Sequence, residues 1–254
     1  MKVNTNSNTY IIIYSVVMVV VVAVLLSVAA LGLKPRQEAN MLNEKKTQIV
    51  KALGEDPATV AYDSVIAKAV ILDASGAVVS EDVNEVFAAL NDLKGSFAAG
   101  RFPLFVANNG VVVPLYGAGL WGPIWGYLAF DKDMNTIDGA VFDHKGETPG
   151  LGANATSDNF KSRFVGKQGE LTVDKNSNDG QNIQAITAAT ITSKAVVSAV
   201  NAVIADFEAT GGATAYISEI GKMIAQFAPL GPLIAKMFDW MRIAGMKAFT
   251  ELKI

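Results

Sequence analysis

The sequence predicts an α+β fold, in which one N-terminal transmembrane helix precedes a mainly antiparallel-sheet domain with flanking helices and an amphipathic helical tail. Three observations lead to this fold class. Residues 10–33, YIIIYSVVMVVVVAVLLSVAALGL, carry no charged side chain. Residues 61–212 alternate short apolar runs with turn signals. Residues 213–254 contain two amphipathic helical patterns separated by a Pro-Leu-Gly-Pro segment.

The uncharged segment 10–33 is long enough to cross a bilayer. A helix of about 24 residues measures about 36 Å, against roughly 30 Å of hydrocarbon. A cleaved signal peptide has a shorter apolar core of about 7–15 residues, so an uncleaved anchor is the preferred interpretation. Residues 1–9 then form an N-terminal tail. Residues 34–60 form a juxtamembrane helix or linker, with a helix stop near Gly54.

The charges that flank the span do not settle which side of the membrane holds the domain. Lys2 precedes the span, whereas several basic residues follow it closely, including Lys34 and Arg36. Applied directly, the positive-inside rule places the domain in the cytoplasm, but the rule is weak for a long translocated domain. The side of the membrane therefore stays open at this point.

Composition argues against several classes of function. The net charge of −3 speaks against nucleic-acid binding. The chain has no cysteine, which excludes disulfides, thiolate catalysis and cysteine-ligated metals. His144 is the only histidine, so a Ser-His-Asp triad or a multi-histidine metal site has little support. We expect His144 to be a solvated turn residue.

The elements of the domain follow from local patterns. SVIAKAVILD predicts a strand, and the stretch 80–95 predicts one helix with Ser80 as its N-cap. The sequence Asn108-Asn109-Gly110 between two apolar runs predicts a hairpin, because Asn and Gly accept positive φ. A second pair of strands flanks the polar turn 131–135, and GELTV predicts one more short strand. An apolar helical pattern then leads to a stop at Gly211-Gly212.

Two glycine-rich stretches could carry chemistry. In GAGLWGPIWGYLAF (117–130), Trp121 and Trp125 could pack against a planar ring. A tight sheet corner with core aromatic residues explains the pattern more simply. HKGETPGLGAN (144–154) predicts a loop that carries Glu147 and Thr148 and presents backbone amides to a polar ligand. It lacks the strand–GxGxxG–helix context of a dinucleotide fingerprint.

The third stretch is QAITAATITSK (184–194), directly before the last helical pattern of the domain. The N-terminus of a helix stabilises a phosphate, and a threonine there could accept a phosphoester. Lys194 could add positive charge. The simpler explanation is that Thr190, Thr192 or Ser193 is an N-cap, and spacing alone favours it.

Taken together, the N-terminal span, YGAGLWGPIWGYLAFDKD, HKGETPGLG and TAATITS resemble the C subunit of the sodium-translocating NADH:quinone oxidoreductase. The G subunit of the Rnf complex shares the FMN-binding domain of this family. The resemblance covers roughly residues 1 to 210. The tail 213–254 has no counterpart in it, and we expect two helices packed on the domain or a partner, or a helix in the membrane interface.

The resemblance implies FMN joined by a phosphoester to the last threonine of a D-x-x-(S/T)-G-A-T motif. That threonine is Thr190 in this chain, and Thr192 is the fallback acceptor. Gln184 stands where the family usually has Asp, and Ala188 stands where it usually has Gly. A separate flavin transferase reads the motif and attaches the cofactor.

The resemblance also implies the surroundings and the role of the flavin. The residues expected near FMN and its phosphate, none of them a catalytic acid or base, are Trp121, Gly122, Glu147, Thr148, Leu151, Gly152, Thr187 and Lys194. The domain is expected outside the cytoplasm, on a single-pass anchor in the bacterial inner membrane. With other membrane subunits it would relay electrons from NADH to quinone, coupled to sodium export.

Two other interpretations stay open from the sequence. The chain could keep the fold without the flavin, as an anchored extracytoplasmic binding or assembly module. It could also be the equivalent subunit of an Rnf-type ferredoxin:NAD complex. The residues at positions 184 and 188 keep the first of these open.

Overall fold

The computed structural model describes residues 7–132 and 135–209. The predicted tail 213–254 and the predicted helix stop at Gly211-Gly212 lie outside these residues. Helix α1, Asn8–Ala52, is one continuous helix that contains Pro35. Its apolar part is long and apolar enough to cross a membrane, judged by length and composition. The helix does not end after residue 33, and contacts divide the chain into two compact units, Met1–Lys46 and Thr47–Ile254.

Helix α1 ends in a glycine cap at the predicted position. Gly54 adopts a φ of 76°, a left-handed conformation that costs glycine no steric strain. The N–H of Gly54 donates to the carbonyl of Lys51 at 3.0 Å, and the N–H of Glu55 donates to that of Val50 at 3.3 Å. These two bonds form a Schellman motif, which satisfies carbonyls that the last turn would leave unpaired.

A six-stranded antiparallel sheet forms the centre of the second unit, in the order β2-β1-β3-β4-β5-β6. The mainly antiparallel sheet predicted from the sequence is therefore confirmed. A separate parallel pair, β7 and β8, was predicted only in its first strand. The strands are β1 Ile66–Leu72, β2 Val78–Ser80, β3 Phe102–Ala107, β4 Gly110–Ala118, β5 Pro123–Asp131, β6 Ile137–His144, β7 Thr172–Asp174 and β8 Asn182–Gln184.

Both faces of the sheet are buried. Successive side chains of a strand point to opposite faces, and in β4 Val111 and Val113 join one core cluster while Val112 joins the other. Helix α6, Thr190–Ala209, covers the first face with the short α5, Asp158–Lys161. The second face packs against α2, Tyr62–Val65, α3, Val83–Ala89, α4, Leu93–Ala98, and the last turn of α1.

The single helix predicted over residues 80–95 is wrong in two respects. Asp82, not Ser80, caps α3, because its side chain accepts a hydrogen bond from the N–H of Asn84. The helix also breaks at Asp92, whose side chain accepts from the N–H of Gly95 at 3.0 Å and starts α4. A second capping residue inside the pattern therefore divides it into two helices.

The hairpin predicted at residues 108–110 is confirmed, but its predicted cause is wrong. The described residues with positive φ do not include Asn108, Asn109 or Gly110. Glycine is required at position 110 because a Cβ there would lie 2.0 Å from the carbonyl oxygen of Phe130 on the neighbouring strand. Close approach of two strands, and not a left-handed turn, explains this residue.

Candidate functional site

Three separate segments of the domain meet at one open cavity of about 270 Å³. They are the loop between β4 and β5, the loop that follows β6, and the start of α6. The lining residues are Leu120, Trp121, Glu147, Thr148, Leu151, Gly152, Ala188, Ala189, Thr190, Ile191 and Thr192.

The sheet brings the first two segments together. Strands β4 and β5 pair along their whole length as far as Ala118 and Pro123. The short loop between them is closed by a hydrogen bond of 2.8 Å from the N–H of Gly119 to the carbonyl of Gly122. Strand β6 pairs with β5 up to His144. The loop that begins after His144 therefore lies beside the loop that carries Trp121.

Helix α6 reaches the same end of the sheet because it packs closely on β4. A Cβ added at Gly117 would lie 2.6 Å from the Cβ of Ala199. Only glycine at this strand position lets the helix approach so closely. The first turn of α6 is thereby held against the two loops.

The hydroxyl groups at the start of α6 have different environments. Thr190 is the first residue of the helix and is half-buried. Thr192 is 1% exposed. The hydroxyl of Ser193 accepts from the N–H of Ile186 at 2.9 Å and donates to the carbonyl of Ala189 at 3.0 Å. Thr190 and Thr192 both line the cavity, but Thr192 is almost fully buried whereas Thr190 is only half-buried, and the hydroxyl of Ser193 is bonded inside the fold.

The residue before this turn has an unusual backbone. Ala188 adopts a φ of 59° and is the only non-glycine residue with positive φ in the part of the chain that the structure describes. Such a conformation costs an alanine about 1 kcal/mol or more. Strain of this kind collects at functional sites, where the surrounding fold holds it in place.

Glu147 connects the three segments from inside. Its side chain is 5% exposed. One carboxylate oxygen, Oε1, accepts from the N–H of Trp121 at 3.0 Å, and Oε2 accepts from the hydroxyl of Thr192 at 2.7 Å. Burial alone would raise the pKa of Glu147, but the bonds from Trp121, Thr192 and Leu120 and the nearby His144 together lower it. The group is therefore a carboxylate at neutral pH.

Most of the site residues predicted from the sequence line this one cavity. They are Trp121, Glu147, Thr148, Leu151, Gly152 and Thr190, together with the fallback Thr192. Gly122, Thr187 and Lys194 are not among its lining residues, and the last two are exposed. His144 is half-buried rather than fully solvated, and its Nδ1 accepts from the N–H of Glu147 at 3.3 Å.

Sequence reasoning missed Leu120 and Ile191 as site residues. Each lies next to a predicted residue and is apolar but exposed, Ile191 by 62%. With Trp121, 68% exposed, and Leu151 they form an apolar rim around the cavity. Exposed apolar residues grouped in this way mark binding sites more often than chance placement does. Their signal, two apolar residues beside polar loop and cap residues, is weak in a sequence.

The cavity combines an apolar rim with the N-terminus of a 20-residue helix. Aromatic and aliphatic side chains suit a planar ring, and the unpaired N–H groups of a helix start suit an anion. A ligand with a flat ring system and a phosphate meets both requirements. Residues 119–205 match the model of a family described as the FMN-binding domain. The fold and the cavity therefore define a flavin-binding domain on an apolar N-terminal helix.

Comparison with known proteins gives a narrower assignment. The C subunit of the Na⁺-translocating NADH-quinone reductase of Pseudomonas aeruginosa is 30% identical over 234 residues, 76% of this chain and 90% of that protein. The corresponding Chlamydia muridarum protein is 48% identical over 63 residues, 25% of this chain and 20% of that protein. The crystal structure of the C subunit from Parabacteroides distasonis matches with a TM-score of 0.63 and 32% identity, covering 70% of this chain and 96% of that one. This chain belongs to the family formed by the C subunits of Na⁺-translocating NADH-quinone reductases.

Family membership confirms the resemblance drawn from the sequence motifs. The chain is a flavoprotein subunit of an oxidoreductase complex, with an FMN-binding domain and other subunits as partners. The apolar part of α1 makes it a membrane-anchored subunit.

Proposed function

We propose that this chain carries FMN covalently, through a phosphoester to Thr190, and relays electrons on the path from NADH to quinone that drives sodium export. The observation that carries the proposal is the position of Thr190. It is the first residue of α6, it is half-buried, and it lines the cavity beside the apolar rim. A phosphoester on its hydroxyl would bring the phosphate to the N-terminus of the helix.

The surrounding residues fit FMN in both of its parts. Trp121 and Leu151 on the rim supply apolar surface for the ring, and Thr148 lines the same cavity. Bound there, FMN would supply the redox chemistry, while the protein holds and orients it. Gly122, Thr187 and Lys194 stay predictions as contacts, since they are not among the residues that line the cavity.

Thr190 is favoured over Thr192 as the acceptor. Thr192 is 1% exposed, and its hydroxyl already donates to the Glu147 carboxylate at 2.7 Å. Attachment there would expel a buried side chain and remove the hydroxyl donor from Oε2 of Glu147, at a cost of about 1–3 kcal/mol. No such cost applies to Thr190, which is only half-buried.

The remaining parts of the proposal concern the membrane and maturation. We place the domain on the extracytoplasmic side of the bacterial inner membrane, with α1 in the lipid bilayer. A separate flavin transferase attaches FMN from a flavin nucleotide with a phosphoanhydride bond: the Thr190 hydroxyl oxygen would bond to the FMN phosphorus, the phosphoanhydride bond would break, the nucleotide would leave, and the hydroxyl proton would pass to a base of the transferase or to solvent. Covalent attachment keeps the flavin bound where little free FMN is present. Protease added to sealed cells should digest the domain; protection by the intact membrane would overturn this orientation.

The test of attachment uses the complex isolated from its native membrane. Flavin fluorescence of the denatured protein on a gel should be present in the natural chain, absent in Thr190→Val and weaker but still detectable in Thr192→Val. Thr156→Val, an exposed threonine whose hydroxyl bonds the carbonyl of Ala153, is the matched control and should stay fluorescent. Membranes with Thr190→Val should lose sodium-dependent quinone reduction.

A dark band from the assembled natural complex would overturn covalent attachment and favour an anchored module without flavin. The specific reason to consider that alternative is the motif itself, with Gln184 and Ala188 where the family usually has Asp and Gly. A band that stays fluorescent in Thr190→Val would move the attachment to another residue.

A further inference from the structure

Glu147 stands out among the cavity residues because its carboxylate is occupied by the protein itself. Its two oxygens accept from the N–H of Trp121 and from the hydroxyl of Thr192, residues 26 and 45 positions away in the chain. The N–H of Leu120 is a further donor to this carboxylate. Donors from two separate segments therefore converge on one buried group.

Two glycines close the space around this carboxylate. A Cβ at Gly119 would lie 2.7 Å from Oε1 of Glu147. A Cβ at Gly152 would lie 2.2 Å from Oε2 and 2.7 Å from the hydroxyl oxygen of Thr192. The two glycines leave room for a carboxylate that binds protein groups on both sides. A side chain enclosed in this way can hydrogen-bond to the protein groups on both sides, and little of its surface can contact a ligand.

The hydrogen bonds of Glu147 matter because of where its partners, Trp121 and Thr192, lie. Trp121 lies on one wall of the cavity, and Thr192 belongs to the first turn of α6 on the other. Thr190 is two residues before Thr192, so the same turn carries the proposed acceptor. A single carboxylate thus sets the separation of the two walls and the orientation of the turn.

We propose that Glu147 is a positioning residue, which ties the Leu120–Trp121 loop to the first turn of α6 and so sets the attachment geometry at Thr190. This role is additional to the flavin contact predicted for Glu147 from the family resemblance, which stays a prediction. The proposal rests on the proposed attachment at Thr190. The hydrogen bonds of Glu147 to Trp121 and Thr192 do not involve flavin, so they can be tested separately in the flavin-free chain.

The first measurement is hydrogen exchange of the Trp121 amide in the full-length protein, purified without the transferase. The amide should be protected in the natural chain, although the Trp121 side chain is 68% exposed. Glu147→Gln should speed its exchange, because an amide in place of the carboxylate loses an acceptor. Thr192→Val should also speed it, since the carboxylate then loses its anchor on α6, whereas Thr192→Ser keeps the hydroxyl and should preserve protection.

The second measurement is the rate of covalent flavin incorporation when the transferase is present. We expect a fall of about 10- to 100-fold for Glu147→Gln and Thr192→Val, the scale of a small misplacement of a reacting group. Thr192→Ser should incorporate flavin at close to the natural rate. Glu170→Gln, the same change at an exposed position, should alter neither the exchange nor the incorporation.

The outcomes separate this proposal from the proposed function. If the natural chain takes up no flavin, attachment at Thr190 fails, and the exchange data still test the tie. If Thr192→Val leaves both Trp121 exchange and flavin incorporation as in the natural chain, the positioning role is overturned. The Thr192→Val and Thr192→Ser pair decides the matter even if Glu147→Gln does not fold.

Discussion

Ala188 holds a left-handed backbone two residues before Thr190, the residue at which α6 begins. The chain must make this turn to bring the first helical N–H groups and the Thr190 side chain to the cavity. An alanine makes it at a cost that glycine would not incur. One of the two positions where this chain differs from the motif expected for the family, Ala188, is therefore also a position where its backbone is strained.

Replacing Ala188 by glycine should stabilise the domain. Relief of the left-handed strain exceeds the added freedom of glycine in the unfolded chain, so we expect a gain of about 0.5–1 kcal/mol in the free energy of unfolding. Ala202→Gly, at an exposed position inside α6, should instead lose about 1 kcal/mol. Denaturant unfolding in detergent measures both. Equal losses in the two variants would contradict the strain at position 188.

Substitution by alanine should destabilise the protein more at Gly152 than at Gly122. At Gly152 the new Cβ would meet Glu147 and Thr192 at 2.2 and 2.7 Å, so we expect a loss of about 1–3 kcal/mol. At Gly122 its nearest neighbour would be 3.6 Å away, an ordinary contact, and the loss should stay small. Thermal unfolding compares the two. A stable Gly152→Ala protein would show that the carboxylate can move aside.

Stability should depend on pH through Glu147. Its pKa is lowered in the folded protein from the ordinary 4.5, because the bonds from Trp121, Thr192 and Leu120 outweigh the effect of burial. A depressed pKa means that the stabilisation is complete above pH 4.5 and is lost as the pH falls through the folded value. The difference in unfolding free energy between the natural chain and Glu147→Gln should therefore shrink on acidification. A difference that is constant from pH 7 to pH 3 would contradict an ionised Glu147.

Gly139 should be essential where β6 meets the end of α1. A Cβ at this position would lie 2.1 Å from the carbonyl oxygen of Ala52, which is backbone and cannot yield cheaply. We expect Gly139→Ala to cost about 1–3 kcal/mol. Gly54→Ala, at the same junction, meets open space but has a φ of 76°, so its cost should be about 1 kcal/mol. If Gly139→Ala costs no more than Gly54→Ala, the close packing is not what requires glycine.

Local patterns predicted those parts of the fold that depend on neighbouring residues. The apolar segment, the hairpin at residues 108–110 and the helix after residue 189 all follow from runs and caps within a few positions. The break at Asp92 was missed because two capping residues compete within one helical pattern. Strand β8, Asn182–Gln184, was missed because its one apolar residue, Ile183, stands between two polar residues, so no apolar run marks it.

Several residues predicted from the sequence line one cavity, but the hydrogen bonds among them were not predicted. Trp121, Glu147 and Thr190 were named from motifs, and they do line one cavity. The bonds of Glu147 to Trp121 and Thr192 join segments far apart in the chain, and no local pattern reports such pairing. Thr190 is half-buried and Thr192 is almost fully buried, and spacing within the motif does not reveal this difference because it depends on the fold.

The end of α1 decides where a soluble version of this protein has to be cut. Ile49, Val50 and Ala52 are fully or almost fully buried, and Ile49 and Ala52 belong to the core cluster on one face of the sheet. A truncation at residue 61 would discard them and uncover part of that face. A soluble fragment intended for crystallisation or spectroscopy should therefore start after the apolar segment 10–33 and no later than Thr47, so that it keeps the final turn of α1.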